Sequence, residues 1–180
     1  MGTGDSTLID ELYRIEGKAE IVNGAIVRMS PTNFGHGYAA TAIGASLFAH
    51  GRRTGSGYGL GDNVGFIVDL PNRRSFSPDA AFWTHPPTMK FCDGAPAFAA
   101  EVRSPEDHGA AAERRLAQKR ADYFAAGTIV VWDVVLDPAP QVRRYRADGP
   151  SEPAVFNAGE FADAEPAVPG WTMPVADLLP

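Results

Sequence analysis

Glu20, Asp79, Glu101 and Lys119 are the residues of this chain whose types and setting suit chemistry on a phosphate. They stand in Ala-Glu-Ile-Val-Asn-Gly, in Ser-Pro-Asp-Ala, in Ala-Ala-Glu-Val-Arg-Ser-Pro, and on the helix expected after that segment. A hard cation such as Mg²⁺ takes oxygen ligands, one or two of them protein carboxylates, and leaves the rest to water and substrate phosphate. An ammonium group beside it can stabilise charge that builds up in phosphoryl transfer. The set points to a metal-dependent nuclease.

Strands and one helix must position these groups. Ala19–Val22 and Ala25–Met29 flank Asn23-Gly24, a strong hairpin signal, and carry Glu20. Asp79 opens an apolar strand, Asp79–Trp83, after Pro78. In the strand Ala97–Arg103, Phe98, Ala100 and Val102 share one face, and Ala99, Glu101 and Arg103 the other. A carboxylate in so apolar a strand is paired, metal-bound or exposed at a sheet edge. Ala110–Ala126 reads as the best helix, closed by Gly127, and Ala112, Leu116, Lys119 and Tyr123 recur at helical spacing. Lys119 therefore lies in the stripe facing the sheet, where it either meets the carboxylates or reaches past them to water.

The remaining elements follow from pattern. Thr7–Ile15, with Ser6 as its cap, and Gly37–His50 read as helices. Val64–Asp69 reads as a strand ended by Pro71-Asn72. Thr128–Val135 reads as a buried β-branched strand with Trp132 in the core. Val142–Arg146 and Ala154–Asn157 read as further strands, and Pro174–Leu179 as a short terminal helix. The order α-β-β-α-β-β-β-α-β-β-β predicts an α+β fold, a central mixed β-sheet flanked by helices, over a single domain 1–180 with residues 1–6 a flexible lead.

Bulk properties narrow the class. The chain has 180 residues, 44% hydrophobic and 21% charged, as an ordinary globular domain has. A single cysteine, Cys92, allows no internal disulfide and fits a reducing, cytoplasmic setting. No apolar run is long enough to span a bilayer. Met1-Gly2-Thr3-Gly4-Asp5-Ser6 matches an acylation pattern, but one acyl chain with no basic patch anchors weakly. The net charge of −6 argues against a surface built for tight nonspecific nucleic-acid binding. It leaves room for a nuclease whose bound cation supplies the positive field locally.

Basic residues cluster twice. Arg103, Arg114, Arg115, Lys119 and Arg120 surround the expected site, and Arg143, Arg144 and Arg146 read as a solvated face. His36, His50, His85 and His108 lack metal-ligand spacing. Ser104, Asp107 and His108 are near in sequence, which does not make a triad. The glycine-rich stretch Gly55–Gly61 has no lysine and reads as a flexible loop beside the substrate groove.

Glu20 with Asn23-Gly24 and Met29-Ser30-Pro31, Pro78-Asp79, Glu101-Val102-x-Ser104-Pro105, and Lys119-x-x-x-Tyr123-x-x-x-Gly127 with Trp132 come in a fixed order. That ordered set resembles the Uma-two family of restriction-type endonucleases, within the PD-(D/E)XK nuclease superfamily, over roughly residues 7 to 179. The resemblance implies a restriction-endonuclease-like core. It implies Asp79 and Glu101 as ligands of Mg²⁺, for which Mn²⁺ can substitute, with Glu20 completing the acidic cluster and Lys119 as the superfamily lysine. It also implies DNA as substrate, hydrolysed by in-line attack of water on a phosphodiester, and a homodimer. His36 resembles a histidine frequent at that point of the family, lining the site or capping a helix. Tyr123 is expected to contact substrate. Arg103 occupies the superfamily's usual lysine position, where it either touches a phosphate or pairs with a carboxylate. The segment from Glu101 to Lys119 is about four residues longer than in many members, about one helical turn, which preserves the facing of the lysine. Two other readings stay open: a non-catalytic nucleic-acid-binding or regulatory protein on this fold, and a phosphoesterase of small substrates.

Overall fold

The computed structural model describes residues 3–105 and 107–180, with side chains from Thr7 onward. Met1-Gly2 of the acylation pattern lies outside the described residues. Helix α1 spans Thr3–Leu12, so Ser6 lies inside it rather than capping it. Strands β1 (Ala19–Val22) and β2 (Ala25–Arg28) form the expected hairpin. Asn23 and Gly24 have φ of 50° and 72°, as a turn that matches the twist of its strands requires.

Helix α2 runs Phe34–Thr54. Asn33 Oδ1 accepts from the His36 N–H at 3.0 Å at one end, and Gly55 in left-handed conformation closes the other. Strands β3 (Tyr58–Leu60), β4 (Phe66–Leu70), β5 (Arg73–Phe76), β6 (Ala80–Trp83), β7 (Cys92–Asp93) and β8 (Phe98–Val102) follow. Helix α3 (Ala110–Ala125), β9 (Val130–Val135), β10 (Gln141–Arg146) and β11 (Gly149–Asn157) come next. The chain then forms β12 (Phe161–Asp163), β13 (Thr172–Pro174) and a 3₁₀ turn at Val175–Leu178, where a terminal helix was expected.

The strands form two main sheets, not one. The larger has the order β11-β10-β9-β8-β6-β3 and is mixed, with β8 and β9 parallel and its other pairs antiparallel. The smaller has the order β2-β1-β5-β4-β7. β12 and β13 make a separate pair. The predicted alternation in β8 holds. Phe98, Ala100 and Val102 join the core beneath α2, which also takes Trp132, Trp171 and Leu178. Ala99 joins a second core with Phe66, Phe76, Tyr123 and Val131, between the larger sheet, the smaller sheet and α3. One helix therefore covers each face of the larger sheet, and the smaller sheet shares the α3 face.

The glycine-rich stretch is not a loose loop. It contains β3, pressed against α2: a Cβ on Gly59 would lie 2.1 Å from the Phe48 backbone nitrogen, and one on Gly51 would lie 2.4 Å from the Gly57 carbonyl oxygen. Glycine is needed there so that strand and helix can approach backbone to backbone.

Candidate active site

Glu20 lies on β1 of the smaller sheet, 3% exposed. Arg73 on the neighbouring β5 donates from Nη1 to its Oε2 at 2.6 Å, and the Ser77 N–H donates to its Oε1 at 2.9 Å. The same guanidinium donates from Nε to Asp122 of α3 at 2.9 Å. Burial pushes the Glu20 carboxyl up, but Lys119 and Arg73 hold it below its ordinary value.

Asp79 precedes β6 and is equally buried. Its own N–H pairs with the Ala100 carbonyl at 3.0 Å, and its Oδ2 accepts the Val102 N–H at 2.7 Å. Asp79 thus takes over strand pairing where β6 begins. Its carboxylate also meets Lys18 Nζ at 2.5 Å and His36 Nε2 at 3.3 Å. Lys18 reaches Asp62 as well, at 2.7 Å. Burial pushes the Asp79 carboxyl up, yet His36 and Lys18 together drive it well below the usual range. His36 shifts the opposite way: burial pulls it down and Asp79 more than restores it.

Glu101 on β8 faces α3. Lys119 Nζ donates to Glu101 Oε2 at 2.8 Å and lies 3.0 Å from Glu20 Oε1. Tyr123, one helical turn on, donates its hydroxyl to Glu101 Oε1 at 2.6 Å and stacks on Phe76 with centroids 4.0 Å apart. Lys119 is therefore the bridge between the two sheets. Burial pulls its ammonium down, but Glu101 and Glu20 push it above its ordinary value, so it is a cation at neutral pH. Burial pushes the Glu101 carboxyl up and Lys119 pulls it back. The neighbouring Asp79 and Glu20 carboxylates add to the rise, and the net shift is upward. The Tyr123 hydroxyl is pushed well above its ordinary value by burial and the same carboxylates.

The structure thus brings Glu20, His36, Asp79, Glu101, Lys119 and Tyr123 together, through contacts that also enlist Lys18, Asp62 and Arg73. Tyr123 differs from expectation, and Arg103 takes one of the two roles left open for it. Tyr123 is fully buried, so it holds Glu101 rather than reaching a substrate. Arg103 pairs instead of facing outward: it forks onto Asp133 at 2.6 and 2.7 Å and binds Glu113. Asp133 stands beside Glu101 in the parallel register of β8 and β9 and also takes Arg120 at 3.2 Å. The Arg143, Arg144 and Arg146 group is not simply solvated: Arg144 pairs with Asp163 and Arg146 with Asp148.

The donors in the site are carboxylate oxygens, the chemistry a hard divalent cation takes. The upward push on Glu101 by two neighbouring carboxylates is one that a bound cation would relieve. Asp79 and Glu101 fit such an ion on these grounds. Glu20 is held within the chain as closely as they are. Its oxygens are spent on Arg73, Ser77 and Lys119, and among the described residues no three His, Cys, Asp or Glu side chains converge as a metal site.

Comparison with known proteins agrees with this architecture. A crystal structure described as "a putative nuclease belonging to DUF820" from Anabaena variabilis superposes with a TM-score of 0.73 at 15% identity, covering 94% of this chain and 96% of that one. The fold is accordingly the restriction-endonuclease-like one, a mixed α+β core. The model of the Uma2 family, described as "Putative restriction endonuclease", matches residues 9–176, and the chain belongs to that family. No curated protein matches it.

Proposed function

We propose that this chain is a divalent-metal-dependent endonuclease that hydrolyses DNA phosphodiester bonds in the cytoplasm, using Mg²⁺ or, in its place, Mn²⁺. The observation that carries this reading is the convergence of Asp79, just before β6, with Glu101 of β8 and Lys119 of α3 in a member of the Uma2 family. No helix among the described residues is long and apolar enough to cross a membrane.

Asp79 and Glu101 would hold the cation, which supplies a water of lowered pKa and stabilisation of developing charge. Lys119, protonated and held by Glu101 and Glu20, presents positive charge beside the scissile phosphate and orients the attacking water by donating to it; it is not a base. Glu20 and Tyr123 act through Lys119 and Glu101, fixing where those groups point. His36 and Lys18 hold Asp79.

Nicking of supercoiled plasmid with Mg²⁺ or Mn²⁺ tests this, with Asp79→Ala and Glu101→Ala beside the wild type. Metal-dependent nicking is expected in the wild type and a loss of at least about 100-fold in each variant. Full activity in both variants overturns the assignment.

One observation favours a second reading, a non-catalytic nucleic-acid-binding protein on the same fold. The carboxylates proposed as ligands already have partners within the chain: Lys18 and His36 on Asp79, Lys119 and Tyr123 on Glu101. Oligonucleotide binding with no turnover in either metal would select it.

A further inference from the structure

Lys18 stands immediately before β1, on the segment that joins α1 to the smaller sheet. Its Nζ spans two carboxylates, Asp79 Oδ1 at 2.5 Å and Asp62 Oδ1 at 2.7 Å. Burial pulls its ammonium down, but Asp79, Glu101 and Asp62 hold it above its ordinary value, so it is a cation at neutral pH. Its charge therefore acts on both of the carboxylates that fit a metal ion.

The oxygen that Lys18 holds is the one a metal would need. Asp79 Oδ2 already faces two donors, the Val102 N–H at 2.7 Å and His36 Nε2 at 3.3 Å. Those two donors take up its lone pairs. Among the described residues, Oδ1 has Lys18 as its one partner. A ligand oxygen lies about 2.1 Å from Mg²⁺, so an ion on Oδ1 either takes the place of the ammonium or sits a few ångströms from it. Like charges that close repel strongly in a buried site.

Asp62 gives the ammonium another seat. Its side chain, in the turn between β3 and β4, is 44% exposed, against 5% for Asp79. A lysine that leaves Asp79 can keep Asp62 and move toward solvent on its flexible stem.

We infer that Lys18 is a built-in competitor for the divalent cation: its ammonium holds Asp79 Oδ1 in the metal-free protein and withdraws onto Asp62 when the ion binds. Lys18 thereby sets how tightly the chain holds its metal, and the partner it gives Asp79 is an exchangeable one. The inference rests on the cation site proposed at Asp79 and Glu101.

Calorimetric titration of the full chain with Mn²⁺ and Mg²⁺ tests it, with circular dichroism reporting the fold of each variant. K18M removes the charge at similar length. K18Q removes it and keeps a donor for the carboxylates, should K18M not fold. Each is expected to bind Mn²⁺ at least about tenfold more tightly than the wild type. K18R, which keeps the charge, should bind no more tightly than the wild type, and K18M/D79A should lose the gain. K90M, which removes an exposed lysine, should bind as the wild type does. If D79A abolishes wild-type binding but K18M and K18Q bind no more tightly than the wild type, the cation site stands and the inference is overturned. It is overturned too if K18R or K90M tightens binding as much as K18M. If neither metal binds to the wild type, K18M or K18Q, the inference and the metal-dependent reading fall together.

Discussion

Lys119 carries the greatest burden of any side chain in the site, because a single ammonium satisfies carboxylates from two different sheets. Removing it leaves Glu101 and Glu20 facing each other with less positive charge between them. Lys119→Met is therefore expected to reduce plasmid nicking by about 100-fold or more. It should also destabilise the fold by about 2–3 kcal/mol, since one partner of a largely buried pair is left behind. Nicking rates and urea denaturation measure the two effects separately. Lys119 and Glu101 were legible from sequence because each broke an apolar pattern: a lysine in a helix stripe and a glutamate in an alanine-rich strand. Asp133 broke a pattern too, whereas Lys18 and Arg73 stand outside any apolar run and gave no such signal. Asp133 interrupts a run otherwise read as uninterrupted, and its burial beneath α3 answers to Arg103 and Arg120.

Packing between elements keeps the site in register. Arg73 ties β5 to β1 through Glu20 and to α3 through Asp122, which Asn72 and Gln118 also serve at 2.9 Å each. Burial pushes the Asp122 carboxyl up, but Asn72, Arg73 and Gln118 hold it below its ordinary 3.8. A carboxyl lowered in the folded state contributes stability that is complete above the unfolded value and lost as pH falls through the folded one. Asp122→Asn should accordingly cost about 1–2 kcal/mol at neutral pH, with the difference from wild type closing as pH drops below 3.8, as followed by thermal unfolding. On the other side of the larger sheet, Gly59→Ala drives a methyl into the backbone of α2. It should cost about 3 kcal/mol or more in chemical denaturation, because neither backbone can yield cheaply. Neither feature could be read from pattern. Arg73–Phe76 is short and follows Pro71-Asn72, which looked like the end of a strand, and Gly55–Gly61 looks like a linker until α2 is seen against it.

For the whole molecule, the question is how the charges balance. Glu20, Asp79, Glu101 and Asp62 gather against Lys18, Lys119 and Arg73, and the Glu101 carboxyl remains pushed upward. Binding of a divalent cation to the folded state alone should stabilise it, by about 2.7 kcal/mol at about 100 times Kd. Added Mg²⁺ or Mn²⁺ is therefore expected to raise the wild-type Tm and to leave Asp79→Ala unmoved; equal shifts in both would place the ion elsewhere.

By itself the sequence determined the mixed α+β class and the faces of β8 and α3. Alternation, helical spacing and turn signals are local, and a charge in an apolar pattern is visible without a partner. The tertiary structure alone decided that there are two sheets and that Lys119 spans them. It also decided that Glu20 is held by Arg73 and that Tyr123 and Arg103 are turned inward. Those outcomes depend on which surfaces meet over long stretches of chain: Glu20 and Arg73 are 53 residues apart, and Lys18 and Asp79 are 61 apart. Pairing at such separations is set by how sheets and helices pack, which no local pattern encodes.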